Sequence, residues 1–365
     1  MRMRRRIAGL AAGAAGLAAA GTAVGIARQQ RVIARRGAGD ATPLGSLRSA
    51  PITVVADDGV PLHVEVDEVE RAGGTGGKRG KGRNQQPTLV FVHGFALTLD
   101  CWHFQRAGFR GLLRTVYYDQ RSHGRSGRSE RENATIDQLG RDLLQVLDQV
   151  VPDGPVVLVG HSMGGMTILA LADEHPELFG DRITGVALIA TTAGALQPHK
   201  MVVPFIPDVV GSELAVRGIS LLSRVSRTVD GVRRVGKPLS TVLTDRYAFG
   251  SKVPATYVDF TDQLLGTTPF EVVAEFFPSF GELDKFAVLR AFDGLPTIVL
   301  CGTRDKVTPI SHSRTLADEL PHAHFEEVEG AGHMVIMERH ERVNATLDQL
   351  IASASPAQPG VTGGL

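Results

Sequence analysis

Cysteine is almost absent: Cys101 and Cys301 are the only two in 365 residues. They stand in well-separated segments, and two cysteines make no disulfide framework. Net charge is missing as well. The 39 basic and 39 acidic side chains balance and the pI is near 7.2, which gives no general attraction to nucleic acid or to anionic membranes. Neither G-x-G-x-x-G nor G-x-x-x-x-G-K-[ST] occurs, so no nucleotide cofactor is implied. The 12 histidines include no H-x-x-x-H or comparable ligand set joined to acidic partners, and no catalytic metal is expected. Arg71 to Gln86 is rich in Gly, Lys and Arg but lacks aromatic platforms for bases. It reads as a flexible basic loop rather than a nucleic-acid site.

What the chain does have is alternation. Apolar runs near 52–56, 61–68, 88–92, 115–118, 156–159, 185–190, 297–301 and 323–328 predict strands. Stretches 102–113, 136–150, 163–177, 311–320 and 334–352 suit helices. Apolar strands alternating with amphipathic helices predict a mostly parallel sheet covered on both faces, and this length is ample for one sizeable core. The widest interruption, 193–281, holds apolar helical material at Leu214–Val225 and Val272–Phe277, divided by prolines 204, 207, 254, 269 and 278. It predicts a helical cap. Phe205, Ile206, Phe270, Phe276, Phe277 and Phe280 are candidates to line its apolar roof, with Phe205, Phe276 and Phe277 foremost.

The strongest chemical statement is Gly160-His161-Ser162-Met163-Gly164, entered directly from Val156-Val157-Leu158-Val159. Small residues two before and two after the serine permit a tight strand-to-helix bend with the hydroxyl exposed. Ser162 is therefore a candidate nucleophile, and the N-terminus of the following helix points N–H groups where an oxyanion would form. A serine hydroxyl needs a base and an orienting acid. Asp305 follows the strand Pro296–Cys301, and His333 follows the strand His322–Val328 in Gly330-Ala331-Gly332-His333. Met163 and Phe95 are the expected oxyanion donors through their backbone N–H groups, their side chains serving as apolar walls. His161 and His93 are expected to be structural.

His93-Gly94-Phe95, Asp119-Gln120-Arg121-Ser122-His123-Gly124-Arg125-Ser126, the elbow at Ser162 and Gly332-His333 together resemble the α/β-hydrolase fold family. Within it, the chain resembles the broad esterase, non-haem haloperoxidase-like and proline iminopeptidase-like group, over about residues 50 to 352. Ser122 departs from the group, which more often has glycine there. The resemblance implies an eight-stranded sheet with a helical cap inserted after strand 6, and the order Ser162, Asp305, His333 is that expected of such a hydrolase. It implies a serine hydrolase acting on a small-molecule carboxylic ester, with no cofactor and no nucleic-acid partner. Amides and thioesters use the same machinery, perhydrolysis is open as an incidental activity, and a catalytically silent ligand-binding protein is the reading from a different class. Serine at the nucleophile position argues against the aspartate-nucleophile epoxide hydrolases and haloalkane dehalogenases of the same fold.

The N-terminus carries a separate signal. Arg2, Arg4, Arg5 and Arg6 precede Ile7 to Ala27, 21 residues without a charge, long enough to span a bilayer as a helix. Arg28, Arg31, Arg35 and Arg36 follow, so positive-inside counting is nearly tied and leaves the side of the membrane open. Membrane association through residues 7–27 is expected, with secretion after cleavage near Ala18-Ala19-Ala20 as the alternative. The resulting division is an anchor or signal segment at 1–36, a tether at 37–50, a core at 51–192 and 282–353, a cap at 193–281, and a disordered tail at 354–365.

Overall fold

The computed structural model describes residues 25–37, 42–70, 86–196 and 229–355. A first helix, α1, spans residues 25–34. It is followed by β1 (Pro51–Val55), β2 (Pro61–Asp67), β3 (Thr88–Val92), α2 (His103–Phe109), β4 (Thr115–Tyr118), α3 (Ile136–Val150), β5 (Val156–His161), α4 (Met163–Glu174) and β6 (Ile183–Ile189). Three cap helices come next: α5 (Val229–Ala248), α6 (Ala255–Thr267) and α7 (Phe270–Glu282). The core resumes with β7 (Thr297–Gly302), α8 (Ile310–Glu319), β8 (His324–Val328), α9 (Val335–Glu338) and α10 (His340–Ala354).

The strands form one eight-stranded sheet in the order β1-β2-β4-β3-β5-β6-β7-β8. The β1–β2 and β2–β4 pairs are antiparallel and the rest parallel. Every residue of β3 and of β5 is buried, the signature of strands covered on both faces. Alternate side chains go to opposite cores. Leu89 and Phe91 join α2, α9 and α10 on one face, while Val90 and Val92 join α3, α4 and α8 on the other. In α3, Leu139, Leu143, Val146, Leu147 and Val150 keep the helical spacing that buries one stripe. Its start is fixed by Thr135, whose side chain accepts from the Gln138 N–H. Register aligns Val92 with Gly160 and His161 with Ile189, so the carboxyl ends of the central strands finish level. Open α/β sheets build their sites along that edge.

Several expectations at the chain's periphery change. Residues 42–50 are docked rather than a free tether: Arg48 pairs with Asp100, Ser49 N–H donates to Glu65 at 2.9 Å, and Leu44 packs on the core. The cause is a cluster of buried acids on β2, Glu65 and Asp67, which Arg106 bridges at 2.7–2.8 Å and residues 48–49 help to satisfy. Of the N-terminal segment, residues 25–37 lie against the cap: Ile33 is buried, and Arg36 forks onto Asp245 of α5. Among the described residues no helix is long and apolar enough to cross a membrane; most of 7–27 lies outside them. So do Leu214–Val225, nearly all of the 71–86 loop, and the tail from 356. The tail was expected from 354, but Ala354 is buried as the last residue of α10. The expected helix 334–352 is broken at Arg339 into α9 and α10.

Candidate active site

Ser162 sits between β5 and α4 with φ +53° and ψ −118°, a backbone strain that costs about 1–3 kcal/mol in a non-glycine residue. The surroundings hold it there. Its N–H donates to Ile189 O at 2.9 Å, and Thr191 Oγ1 donates to its carbonyl at 2.7 Å. The two flanking glycines are steric necessities: a Cβ at 160 would stand 2.6 Å from Gly164 C, and one at 164 only 2.0 Å from Val92 O.

Asp305, in the loop after β7, is buried and fully engaged. Oδ1 accepts from the N–H groups of Val307 (2.8 Å) and Thr308 (2.9 Å), and Oδ2 accepts from Thr308 Oγ1 (3.0 Å) and His333 Nδ1 (2.8 Å). Because the carboxylate accepts, His333 carries its proton on Nδ1, which leaves Nε2 as the free acceptor. Ser162 and His333 line one cavity, without a hydrogen bond between their side chains. Such contacts often tighten only when substrate is bound. The Phe95 and Met163 N–H groups donate to no protein group among the described residues. Met163 opens α4, so its N–H has no intrahelical partner, and the Phe95 loop passes so near the elbow that a Cβ at 94 would stand 2.9 Å from His161 Nδ1 and 3.2 Å from Ser162 Cβ.

The neighbouring histidines are buried and held by backbone groups. His161 Nε2 donates to His333 O at 2.9 Å, and burial pushes its pKa down to about 3, so it stays neutral and buckles the His333 loop. His93 Nδ1 donates to Gly94 O at 2.7 Å while Nε2 accepts from Gln120 N at 2.9 Å, with burial lowering its pKa to about 4. Ser122 has φ +64°, the geometry that favours glycine, and its Oγ accepts from Ser129 N.

The cavity over Ser162 measures about 480 Å³. Phe95 and Leu97 from the core, Leu243, Thr244 and Tyr247 from α5, Thr261 and Leu265 from α6, and Val273, Phe277 and Phe280 from α7 form its wall. Among the described residues no carboxylate, lysine or arginine lines it. Phe277 is among these lining residues. Phe276 is not: it is wholly buried behind Phe95, ring centroids 6.1 Å apart, and also packs on His123. The helical period of α7 turns it inward. The Met163 side chain likewise belongs to the core, Phe270 does not line the cavity, and Phe205 and Ile206 fall outside the described residues. A larger hollow of about 740 Å³, around Arg114 and Pro152, contains none of the residues considered for chemistry.

Two site residues escaped the sequence reading. Thr308 holds the acid and also donates to Ala190 O at 2.8 Å; its signal was a hydroxyl three residues after Asp305. Glu338 is buried and accepts from the N–H groups of Gly250 (2.9 Å), Ser251 (2.8 Å) and Gly332 (2.8 Å). Its signal was a lone acid at the end of the apolar run Val335–Met337.

A family model described as alpha/beta hydrolase fold matches residues 87–340. An uncharacterized protein of Mycobacterium tuberculosis is 24% identical over 74% of this chain and 77% of its own length. A 3-oxoadipate enol-lactonase of Acinetobacter baylyi is also 24% identical, over 74% of this chain and 90% of the lactonase. Among solved structures, a thermophilic esterase from Thermogutta terrifontis superposes with a TM-score of 0.61 at 22% identity, covering 84% of this chain and 100% of the esterase.

Proposed function

This chain belongs to the alpha/beta hydrolase fold family, and within it we propose a serine hydrolase that cleaves a carboxylic ester with an apolar acyl or alkyl group. The observation that carries the reading is the cavity that ends on Ser162 beside His333, its described wall free of carboxylates, lysines and arginines. In this reading His333 Nε2 takes the Ser162 proton as Oγ attacks the ester carbonyl. The Phe95 and Met163 N–H groups receive the oxyanion, each such donor contributing roughly 3–4 kcal/mol. Asp305 holds the imidazole in its tautomer and stabilises the imidazolium. The proton passes from His333 to the departing alcohol oxygen as the carbon–oxygen bond breaks. Water, deprotonated by the same histidine, then attacks the acyl-enzyme and releases the acid. The esterase and lactonase relatives support ester chemistry, and the apolar wall supports an uncharged acyl or alkyl group.

The test is labelling with a fluorophosphonate probe, followed by turnover of aryl esters of increasing chain length beside their amide and thioester counterparts. Labelling of wild type and its loss in Ser162→Ala is the expected result. A folded wild type that no probe labels, whatever its size, would favour a ligand-binding protein; faster amide than ester turnover would move the substrate class.

A further inference from the structure

The cavity opens between leucines that stand in solvent. Leu243 of α5 and Leu265 of α6 are 44% and 37% exposed and line the cavity that reaches Ser162. Leu239, one turn before Leu243 on the same helix face, is 46% exposed. Large apolar side chains around the mouth of an apolar cavity mark a surface that meets something apolar.

The N-terminal segment says what lies beside them. α1 lies along α5 in the same direction: Arg36 grips Asp245, while Ala27, Gln30 and Arg31 share a groove with Lys237, Pro238 and Thr241. A further hydrogen bond, Ala255 N to Gly37 O at 3.1 Å, ties its end to α6. Residue 25 therefore stands at the Lys237–Leu239 end of α5, and the 12 residues from there to Arg36 cover only about 17 Å at helical rise. Arg28, Arg31 and Arg35 are exposed, whereas Ile33 faces inward. Immediately before this docked helix the sequence carries the uncharged stretch that begins at Ile7. The chain's net charge is zero, but here the charge is local: three exposed arginines and Lys237 stand next to an apolar stretch and an apolar rim.

We propose that this face rests on an anionic lipid bilayer: the stretch from Ile7 enters the lipid, Arg28, Arg31 and Arg35 meet the headgroups, and Leu239, Leu243 and Leu265 contact the interface. The cavity then takes its ester from the membrane rather than from water. This rests on the ester-hydrolase reading for the substrate, but not for the docking. Basic side chains beside an apolar anchor are the combination that holds a protein at such a surface, and the short tether of α1 fixes which face turns toward it.

The full-length chain offers a direct test because its single tryptophan, Trp102, is wholly buried. Leu239→Trp places a reporter on the rim. Leu112→Trp places one on an exposed turn just before β4, at the opposite edge of the sheet. With vesicles of phosphatidylglycerol and phosphatidylcholine carrying brominated acyl chains, emission from Leu239→Trp should fall about twofold or more, since interfacial side chains reach the acyl boundary. Leu112→Trp should be unaffected. Leu239→Asp should lower turnover of a vesicle-held long-chain ester several-fold while leaving a soluble aryl acetate unchanged. Failure to cosediment with the vesicles, an unquenched Leu239→Trp on sedimenting protein, or equal quenching at both positions overturns the docking. Equal turnover of the vesicle-held ester by Leu239→Asp and wild type overturns the membrane as the source of substrate. A wild type inactive on every ester refutes the ester reading, and the quenching result still decides the docking.

Discussion

Acidification from pH 7.5 to 5.5 should remove roughly 4 kcal/mol of folding stability, through three histidines that the fold keeps neutral. His93, His123 and His161 are buried, and burial depresses their pKa values to about 4, 3 and 3. In the unfolded chain each titrates near 6.5. Below that value the unfolded state binds protons that the folded state refuses, so stability falls as pH falls and is fully present above pH 6.5. Over this interval each histidine costs about 1–2 kcal/mol, because one pH unit is worth about 1.4 kcal/mol per proton. The total is a large part of the usual 5–15 kcal/mol. Burial raises the pKa of Asp119 and Asp142, which acts in the opposite direction from the ordinary aspartate range upward. Their influence is separated with His123→Gln. Among the described residues the His123 Nε2 has no hydrogen-bond partner, and whatever the substitution costs at pH 7.5, the loss between pH 7.5 and 5.5 should shrink by one histidine's share. Urea unfolding at a series of pH values measures this. A stability that stays flat down to pH 5.5, or a loss unchanged by His123→Gln, would refute the reasoning.

Ser162→Ala and Ser162→Gly should both lose covalent labelling, but Gly should be the more stable of the two by about 1–2 kcal/mol, since it relieves a φ of +53° that alanine retains; thermal unfolding ranks them. Asp305→Asn should lower kcat by about 10³–10⁴-fold, and Thr308→Val, which leaves the acid in place but removes one of its clamps, by about 10–100-fold with Thr308→Ser restoring most of it; steady-state kinetics on a soluble aryl ester read both. Phe277→Ala should lower kcat/KM for long acyl chains by about 1–3 kcal/mol and change an aryl acetate much less, whereas Phe276→Ala should lower thermal stability and all substrates together because its ring lies in the core.

The parallel core was legible because its signals are local. A strand buried on both faces reads as an unbroken apolar run, and Leu89–Val92 and Val156–Val159 are such runs. The elbow was legible for the same reason: Gly160 and Gly164 are imposed by contacts of the turn itself. What escaped depends on partners far away in sequence. Residues 42–50 contain nothing that announces docking until Arg106 draws Glu65 and Asp67 together on β2, 41 and 39 residues from it. Phe276 and Phe277 are adjacent and chemically identical, and only the angular position of α7 sends one to the core and the other to the cavity. Ser122 shows the converse. A left-handed backbone favours glycine, yet serine is accommodated because its hydroxyl satisfies the Ser129 N–H.

Glu338 gives the site a property that no single motif carries. Its one buried carboxylate binds Gly332, beside His333, and Gly250 and Ser251, where α5 ends. Met334 N–H adds a bond to Ala248 O at 2.8 Å. The approach is so close that a Cβ at 332 would stand 2.4 Å from Gly250 N, and one at 250 would stand 2.5 Å from Ala331 C. Leaving a buried acceptor set or its donors unmatched costs about 1–3 kcal/mol per group, so the two segments move as one unit. Tyr247 and Ala248, which line the cavity, belong to the same helix end. A displacement of α5 is therefore felt at the histidine loop as well as at the cavity wall, whereas α7 lines the cavity through Phe277 and Phe280 without sharing the Glu338 clamp. Substitutions at the clamped end of α5, at Tyr247 and Ala248, should consequently move kcat and KM together, and those on the cavity face of α7 should act through the fit of the acyl chain alone.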